Sequence, residues 1–205
     1  MKRIAALLLL VLLVAGCATQ LSALQRAHQS ALILRTDTGI CSGTAIGPHA
    51  ILSATHCFVG AQALAINGEP VVVTGAISDG RDHTILLVDR TFIEYADVGK
   101  APVQGDAVFI LGNPAGLRDL YRAGHVAGNT VSDNVRVTLY DMQDFPGDSG
   151  SGIFDAQGRL VGVISIFIGL EENGAHIQFA GSFGMAFTPQ QWAQARRVDV
   201  AMASP

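Results

Sequence analysis

Glycine recurs throughout this chain, 23 residues in all, and it falls between short β-branched and aliphatic runs. The runs at residues 31–34, 41–46, 50–53, 71–74, 84–88, 107–111, 135–139, 151–154 and 161–167 are each about the length of one strand. Shorter pieces at 125–127 and 183–187 read the same way. Glycine and proline between such runs turn the backbone, as Gly47-Pro48 and Asp155-Ala156-Gln157-Gly158 are expected to do. Strands this short, with turns this frequent, predict an all-β protein built as a sandwich or as barrels. One helix is predicted, near the end of the chain. Thr188 can cap it, Pro189 suits its first position, Gln191 stands where a capping box needs it, and Trp192 would anchor its inner face.

The 205 residues are 49% hydrophobic and 15% charged, enough apolar material for a sizeable core and too little charge for a disordered chain. That length favours one domain or two halves of one unit. A net charge of −4 gives no electrostatic footprint for nucleic acid. No pair of histidines stands at metal-ligand spacing, and neither a metal nor a cofactor is expected. His49, His83, His125 and His176 are expected to be structural or exposed.

The first residues belong to export rather than to the fold. Met1-Lys2-Arg3 is basic, and residues 4–15 are apolar without interruption. That run is shorter than the ~20 apolar residues of a membrane-spanning helix and reads as a secretory signal. Its end, Leu13-Val14-Ala15-Gly16-Cys17, resembles the bacterial lipobox. The resemblance implies cleavage after residue 16 and lipid, palmitate included, on Cys17, which would hold the protein on a membrane of the bacterial envelope. Residues 17–30 then read as the lipidated cysteine and a spacer, whose residues 21–30 are also compatible with a short helix, and residues 31–205 as the folded domain. With Cys17 lipidated, Cys41 and Cys57 remain, 16 positions apart. An exported chain meets an oxidising compartment, so these two are expected to form a disulfide beside His56.

Three polar residues suggest chemistry. His56 lies in Ser53-Ala54-Thr55-His56-Cys57, Ser149 lies in Gly147-Asp148-Ser149-Gly150, and Asp82 stands between them in the sequence. A serine hydroxyl is a weak nucleophile until a base takes its proton. An imidazole titrates near neutrality and can take and return that proton. A carboxylate behind it selects the tautomer and stabilises the imidazolium. Asp82 is preferred to Asp79 as that carboxylate because it directly precedes an apolar run. An α/β-hydrolase is excluded by Ser151, which stands where its elbow needs glycine, and by the chain order.

These segments resemble trypsin/chymotrypsin-type serine proteases. Residues 41–46 and 52–57 resemble the histidine region, in which two cysteines bracket the segment and bond to each other. Residues 82–87 resemble the aspartate and its strand, 147–152 the serine loop, and 160–165 the strand lining the substrate cleft. Gly105 to Leu117 is similar to the matching region of bacterial Deg/HtrA proteases. The resemblance implies two packed six-stranded barrels with the site between them. It implies Ser149 as nucleophile, His56 as general base and acid, Asp82 as orienter, and the N–H groups of Gly147 and Ser149 as the oxyanion hole. By position, Gln143, Ser165 and Phe167 would line the primary pocket. With no acid at Gln143 and a bulky Phe167, that pocket would favour small or medium apolar side chains.

Two departures from the family are visible. No Ile-Val-Gly-Gly-like segment occurs, so no zymogen cleavage is expected; in place of a new amino terminus, either another partner for Asp148 or local hydrogen bonds would hold the loop. No peptide-binding PDZ domain is expected after the protease. The resulting expectation is an exported, lipid-anchored serine endopeptidase acting on proteins or peptides. The competing readings are a catalytically silent protein of the same fold that binds partners at the cell surface, and an esterase.

Overall fold

The computed structural model describes residues 23–132, 134–172 and 175–197. The expected signal at residues 1–16 and the lipid site at Cys17 lie outside them. Two seven-stranded antiparallel sheets form a double-barrel fold. The first contains β1 (Ala31–Thr36), β2 (Ile40–Gly47), β3 (Ala50–Ala54), β4 (Leu64–Ile66), β5 (Glu69–Val71), β6 (Val73–Ser78) and β7 (His83–Val88). The second contains β8 (Ala107–Gly112), β9 (Leu120–Ser132), β10 (Val135–Tyr140), β11 (Gly152–Asp155), β12 (Leu160–Val163), β13 (Ile166–Glu172) and β14 (Ala175–Phe183).

The expectation of six strands per barrel is corrected to seven in each sheet. In the first, the run read as one strand over residues 71–74 divides between β5 and β6. The short β4–β5 hairpin turns at Asn67-Gly68, whose φ angles of 54° and 91° are those a two-residue hairpin turn requires. In the second, the piece read at 125–127 is the middle of β9, which pairs with β8 through its first half and with β10 through its second.

The core has three parts, and strand parity explains them. Successive side chains on a strand point to opposite faces. On β3, Ile51 enters the first barrel while Leu52 faces the barrel interface; on β7, Leu86 and Ile85 divide likewise. On β8, Val108 and Ile110 fill the second barrel while Phe109 and Leu111 face the interface. Both faces are covered, which is why these strands read as unbroken apolar runs rather than alternating ones.

Two helices close the interface. α1, residues 23–30, is the short helix compatible with the spacer segment; its Ala23 and Ala27 are buried and Arg26 donates to the Gln157 carbonyl. α2 (Pro189–Arg196) has the predicted cap: Thr188 Oγ1 accepts from Gln191 N, and the Gln191 side chain accepts from Thr188 N. Its Trp192 packs edge-on against Phe187 at 5.2 Å between ring centres.

Candidate active site

β3 ends at Ala54, and a single 3-10 turn, Thr55–Phe58, carries His56 and Cys57 away from the barrel. The neighbouring strand β7 begins one residue after Asp82, so β3–β7 pairing brings the two polar residues together. Thr55 N donates to the Asp82 carbonyl at 2.9 Å, which ties the turn to that strand end. The Asp82 carboxylate then accepts twice from His56: from the backbone N–H at 3.0 Å and from ring Nδ1 at 2.7 Å. This leaves Nε2 as the free ring nitrogen. The hydrogen bond to Asp82 raises the His56 pKa above the ordinary imidazole value; partial burial opposes this, while the charges of Asp82 and Asp144 add to it. Behind the turn, Cys57 forms a disulfide with Cys41 on β2, as the export reading expected.

Ser149 comes from the other barrel, on the loop between β10 and β11. That loop is fastened to both barrels by backbone contacts. Ser42 N, on β2 of the first, donates to the Ser149 carbonyl at 2.8 Å, and Gly150 N donates to the Ile164 carbonyl of the second at 2.7 Å. Gly150 is pressed so closely against β2 and β3 that an added Cβ would lie 2.1 Å from the Ser42 carbonyl and 2.2 Å from Ser53 Oγ. The Ser149 carbonyl also lies 3.7 Å from Cys57 Sγ, placing the serine backbone beside the histidine turn. No hydrogen bond joins Ser149 Oγ to His56 among the described residues. Such contacts are often open before substrate arrives and tighten in the complex.

The backbone before Ser149 is shaped by Gly147. Its φ is +105°, and a Cβ there would meet the Asn113 carbonyl at 2.5 Å. Asp148 N donates to the Phe145 carbonyl, closing a turn around Pro146-Gly147. Asn113 donates from Nδ2 to Ser42 Oγ, and Ser42 Oγ donates to the Gly147 carbonyl, each at 2.8 Å. The carbonyl of Gly147 is thereby turned inward. The N–H groups of Gly147 and Ser149 make no hydrogen bond among the described residues. They are two donors available to an oxyanion.

Asp148 has a partner that sequence reasoning did not find. Arg122, on β9, grips its carboxylate with both terminal nitrogens, at 2.6 and 2.5 Å. The Asp148 side chain is fully buried and that of Arg122 is 17% exposed, so the ion pair is shielded from solvent. Phe145 N adds a third donor to the carboxylate at 2.9 Å. The guanidinium also lies 5.5 Å over the Phe145 ring. Asp144, a second buried acid in the same loop, was not singled out either.

The residues expected to line the pocket differ in exposure and in partners. Gln143 is exposed, with its carbonyl 3.4 Å from Arg122 Nη1, and Phe167 is 62% exposed. Ser165 is buried and turned away from that role: its Oγ bonds His83 Nε2 at 3.1 Å and the Val163 carbonyl at 3.2 Å. His83 in turn bonds Asp79 through Nδ1 at 2.7 Å, with neither side chain exposed. Asp79 also accepts from Ala186 N and Arg81 N. A buried Asp79–His83–Ser165 relay therefore stitches the two barrels together one residue from Asp82. Asp79 precedes His83 by four positions, a spacing that could have suggested the pair.

Residues 41–163, more than half of the chain, match the family model of the trypsin-like peptidase domain. Solved structures with a similar fold include Rv3671c from M. tuberculosis H37Rv, at 16% identity over 84% of this chain and 89% of that one, with a TM-score of 0.66. The HtrA-type protease AlgW, solved with a tripeptide, is 19% identical over 80% of this chain, with a TM-score of 0.64. The serine endoprotease from Yersinia pestis is 19% identical over 86% of this chain, again with a TM-score of 0.64. This chain spans 59% of AlgW and 66% of the Yersinia protein. At these identities the likeness is one of fold, whereas the family match rests on the sequence from the histidine region to the cleft strand, and by it the chain belongs to the trypsin-like peptidase family.

Proposed function

We propose that this protein is a serine endopeptidase that cleaves peptide bonds through an acyl-enzyme, with Ser149 as nucleophile, His56 as base and acid, and Asp82 as orienter. The observation that carries the reading is the double hold of Asp82 on His56, at the ring and at the backbone. It selects the tautomer with Nε2 free to take the Ser149 proton. As a substrate carbonyl enters, Ser149 Oγ attacks and His56 Nε2 accepts its proton. The N–H groups of Gly147 and Ser149 take the developing oxyanion, and the loss of one such donor typically costs about 2.7–4 kcal/mol of transition-state stabilisation. His56 then returns the proton to the leaving amine. Water attacks the acyl-enzyme by the same route, with His56 again as base.

The lack of an acid at Gln143 supports a primary pocket that does not attract lysine or arginine, and its preference for small or medium apolar side chains rests on the positions of Gln143 and Phe167 in the sequence. The signal-like start of the chain and Cys17 support a lipid anchor on the bacterial envelope. Labelling by a fluorophosphonate probe tests the chemistry. Wild type should label and Ser149→Ala should not; silence of wild type at every pH would instead favour a binding protein that keeps the fold. A peptide library tests the pocket, and clear preference for basic residues would refute it. Radiolabelled palmitate incorporated by wild type but not by Cys17→Ala tests the anchor.

A further inference from the structure

Among the described residues, the hydrogen bonds of the Asp82 carboxylate all go to His56. No side chain holds that carboxylate from behind, so its direction is set by its own backbone. Asp82 stands in the short loop between β6 and β7, and a single buried acid holds the backbone on both sides of it. Asp79 Oδ1 accepts from Arg81 N at 2.9 Å and from His83 N at 3.3 Å, the residues just before and just after Asp82. Asp79 Oδ2 is bonded by His83 Nδ1 at 2.7 Å and accepts from Ala186 N at 3.1 Å. An ionised carboxylate offers about four lone-pair positions, and each Asp79 oxygen here receives two bonds. The side chains of Asp79 and His83 are fully buried. Asp79 N closes the loop by donating to the His83 carbonyl at 3.2 Å.

The same cluster reaches into the second barrel. Ala186 lies between β14 and α2, and His83 Nε2 continues to Ser165 Oγ at 3.1 Å, just before β13. Arg81 adds a further tie, from its guanidinium to the Gly184 carbonyl. A Cβ at Gly184 would stand 3.2 Å from Arg81 Nη1, so the absent side chain leaves room for that tie. Ser149 is carried by the second barrel as well. The acid that orients His56 is thus fixed against the half of the molecule that presents the nucleophile.

We propose that Asp79 is a positioning residue for the His56–Asp82 pair: it gathers the N–H groups on either side of Asp82, ties them to the second barrel, and so aims the Asp82 carboxylate at His56 Nδ1. Without that hold the two peptide planes flanking Asp82 can rotate and swing its carboxylate. A misplacement of about 1 Å in such a group costs about 10²-fold in rate.

The proposal rests on Asp82 orienting His56 in a working protease, and the experiment separates the two. Asp79→Asn keeps the volume but puts an amide NH2 where an oxygen accepts two bonds. The rate of fluorophosphonate labelling and the kcat and KM for an activated ester are measured on the full-length protein for wild type, Asp79→Asn, Asp82→Ala and the double variant. Asp79→Asn should lower kcat by about 10–10²-fold with KM little changed. Asp82→Ala should lower it by about 10⁴-fold. The double variant should match Asp82→Ala within about twofold, because Asp79 then has nothing left to aim. A residue that only supports the fold would lower the double variant by a further factor of about 10–10², and that result overturns the proposal. So does an Asp79→Asn variant within about twofold of wild type.

Proton NMR gives a readout independent of turnover. The proton between His56 Nδ1 and Asp82 gives a downfield resonance, assigned by its absence from Asp82→Ala. Its shift or broadening in Asp79→Asn supports the proposal, and an unchanged resonance overturns it. If wild type fails to label at every pH, the protease reading falls, and the resonance still decides whether Asp79 holds Asp82. Should Asp79→Asn not fold, Ser165→Ala takes its place, since it removes one hydroxyl from the far end of the cluster. A kcat loss that vanishes on the Asp82→Ala background supports the proposal; no loss, or a loss that persists there, overturns it.

Discussion

Replacing Arg122 by methionine tests whether a strand-borne guanidinium holds the serine loop in place. Methionine keeps most of the stem but removes both bonds to Asp148 and the guanidinium that lies over the Phe145 ring. Asp148 is fully buried, and would be left with Phe145 N as its remaining backbone donor. Breaking a buried pair by removing one partner typically costs about 3–5 kcal/mol, because the other charge stays out of water uncompensated. The loop can escape that cost by letting Asp148 swing toward solvent. That motion carries Gly147 with it, and the loss of one oxyanion donor lowers kcat by about 10²–10³. The expected outcome is a stability measured by urea unfolding lowered by about 3–5 kcal/mol and a kcat reduced by about two to three orders of magnitude, with KM little changed. Arg122→Lys should fall between, since an ammonium supplies charge without the two-pronged fork. In a double-mutant cycle, adding Asp148→Asn should restore part of the stability and none of the kcat, because the stranded charge is gone but the turn remains unheld. If Arg122→Met stays within about 1 kcal/mol and about threefold of wild type, the ion pair does not position this loop.

Two further perturbations probe the walls of the site. His83→Leu leaves Asp79 buried without its ring partner and should destabilise the protein by about 3–5 kcal/mol in urea. Burial would raise the Asp79 carboxyl, yet His83 and the Ala186 and Arg81 N–H groups hold it below the ordinary value. The stability it contributes is therefore present above about pH 4 and lost as pH falls through its folded pKa, and the variant should show a shallower acid unfolding curve than wild type. Substituting Cys41 and Cys57 together by alanine opens a loop with a sequence separation of 16 and should cost about 3 kcal/mol by thermal melting, with kcat falling as the His56 turn loosens.

What could be read in advance were features written in contiguous residues. The cap of α2 needs only Thr188, Pro189 and Gln191 in a row, and the disulfide needs only two cysteines remaining in an exported chain. The all-β class followed from strand-length runs between glycines. The extra hairpin carried a signal too, Asn67-Gly68, but its strands of three residues each were too short to register as runs. Ser165 was assigned to the pocket by position alone, and only the packing of β7 against the second barrel shows that its hydroxyl turns to His83.

Arg122 marks the other limit. It sits in a 13-residue strand whose exposure alternates, 26 positions from Asp148, and nothing near it marks it as different from any surface arginine. Its role exists only once β9 has paired with β8: Ile110 lies opposite Arg122, and the same alignment brings the end of β8, Gly112, against both the guanidinium and the Asp148 carboxylate. An added Cβ at Gly112 would stand 2.1 Å from Asp148 Oδ1 and 2.3 Å from Arg122 Nη2, so the ion pair occupies the space that the absent side chain leaves. A cation delivered in this way is set by strand register. A one-residue slip of β9 would turn Arg122 to the opposite face of the sheet, and the loop would lose its hold without any change in the loop's own sequence. The partner that Asp148 required was thus supplied by the fold, through a long-range pairing that no local motif encodes.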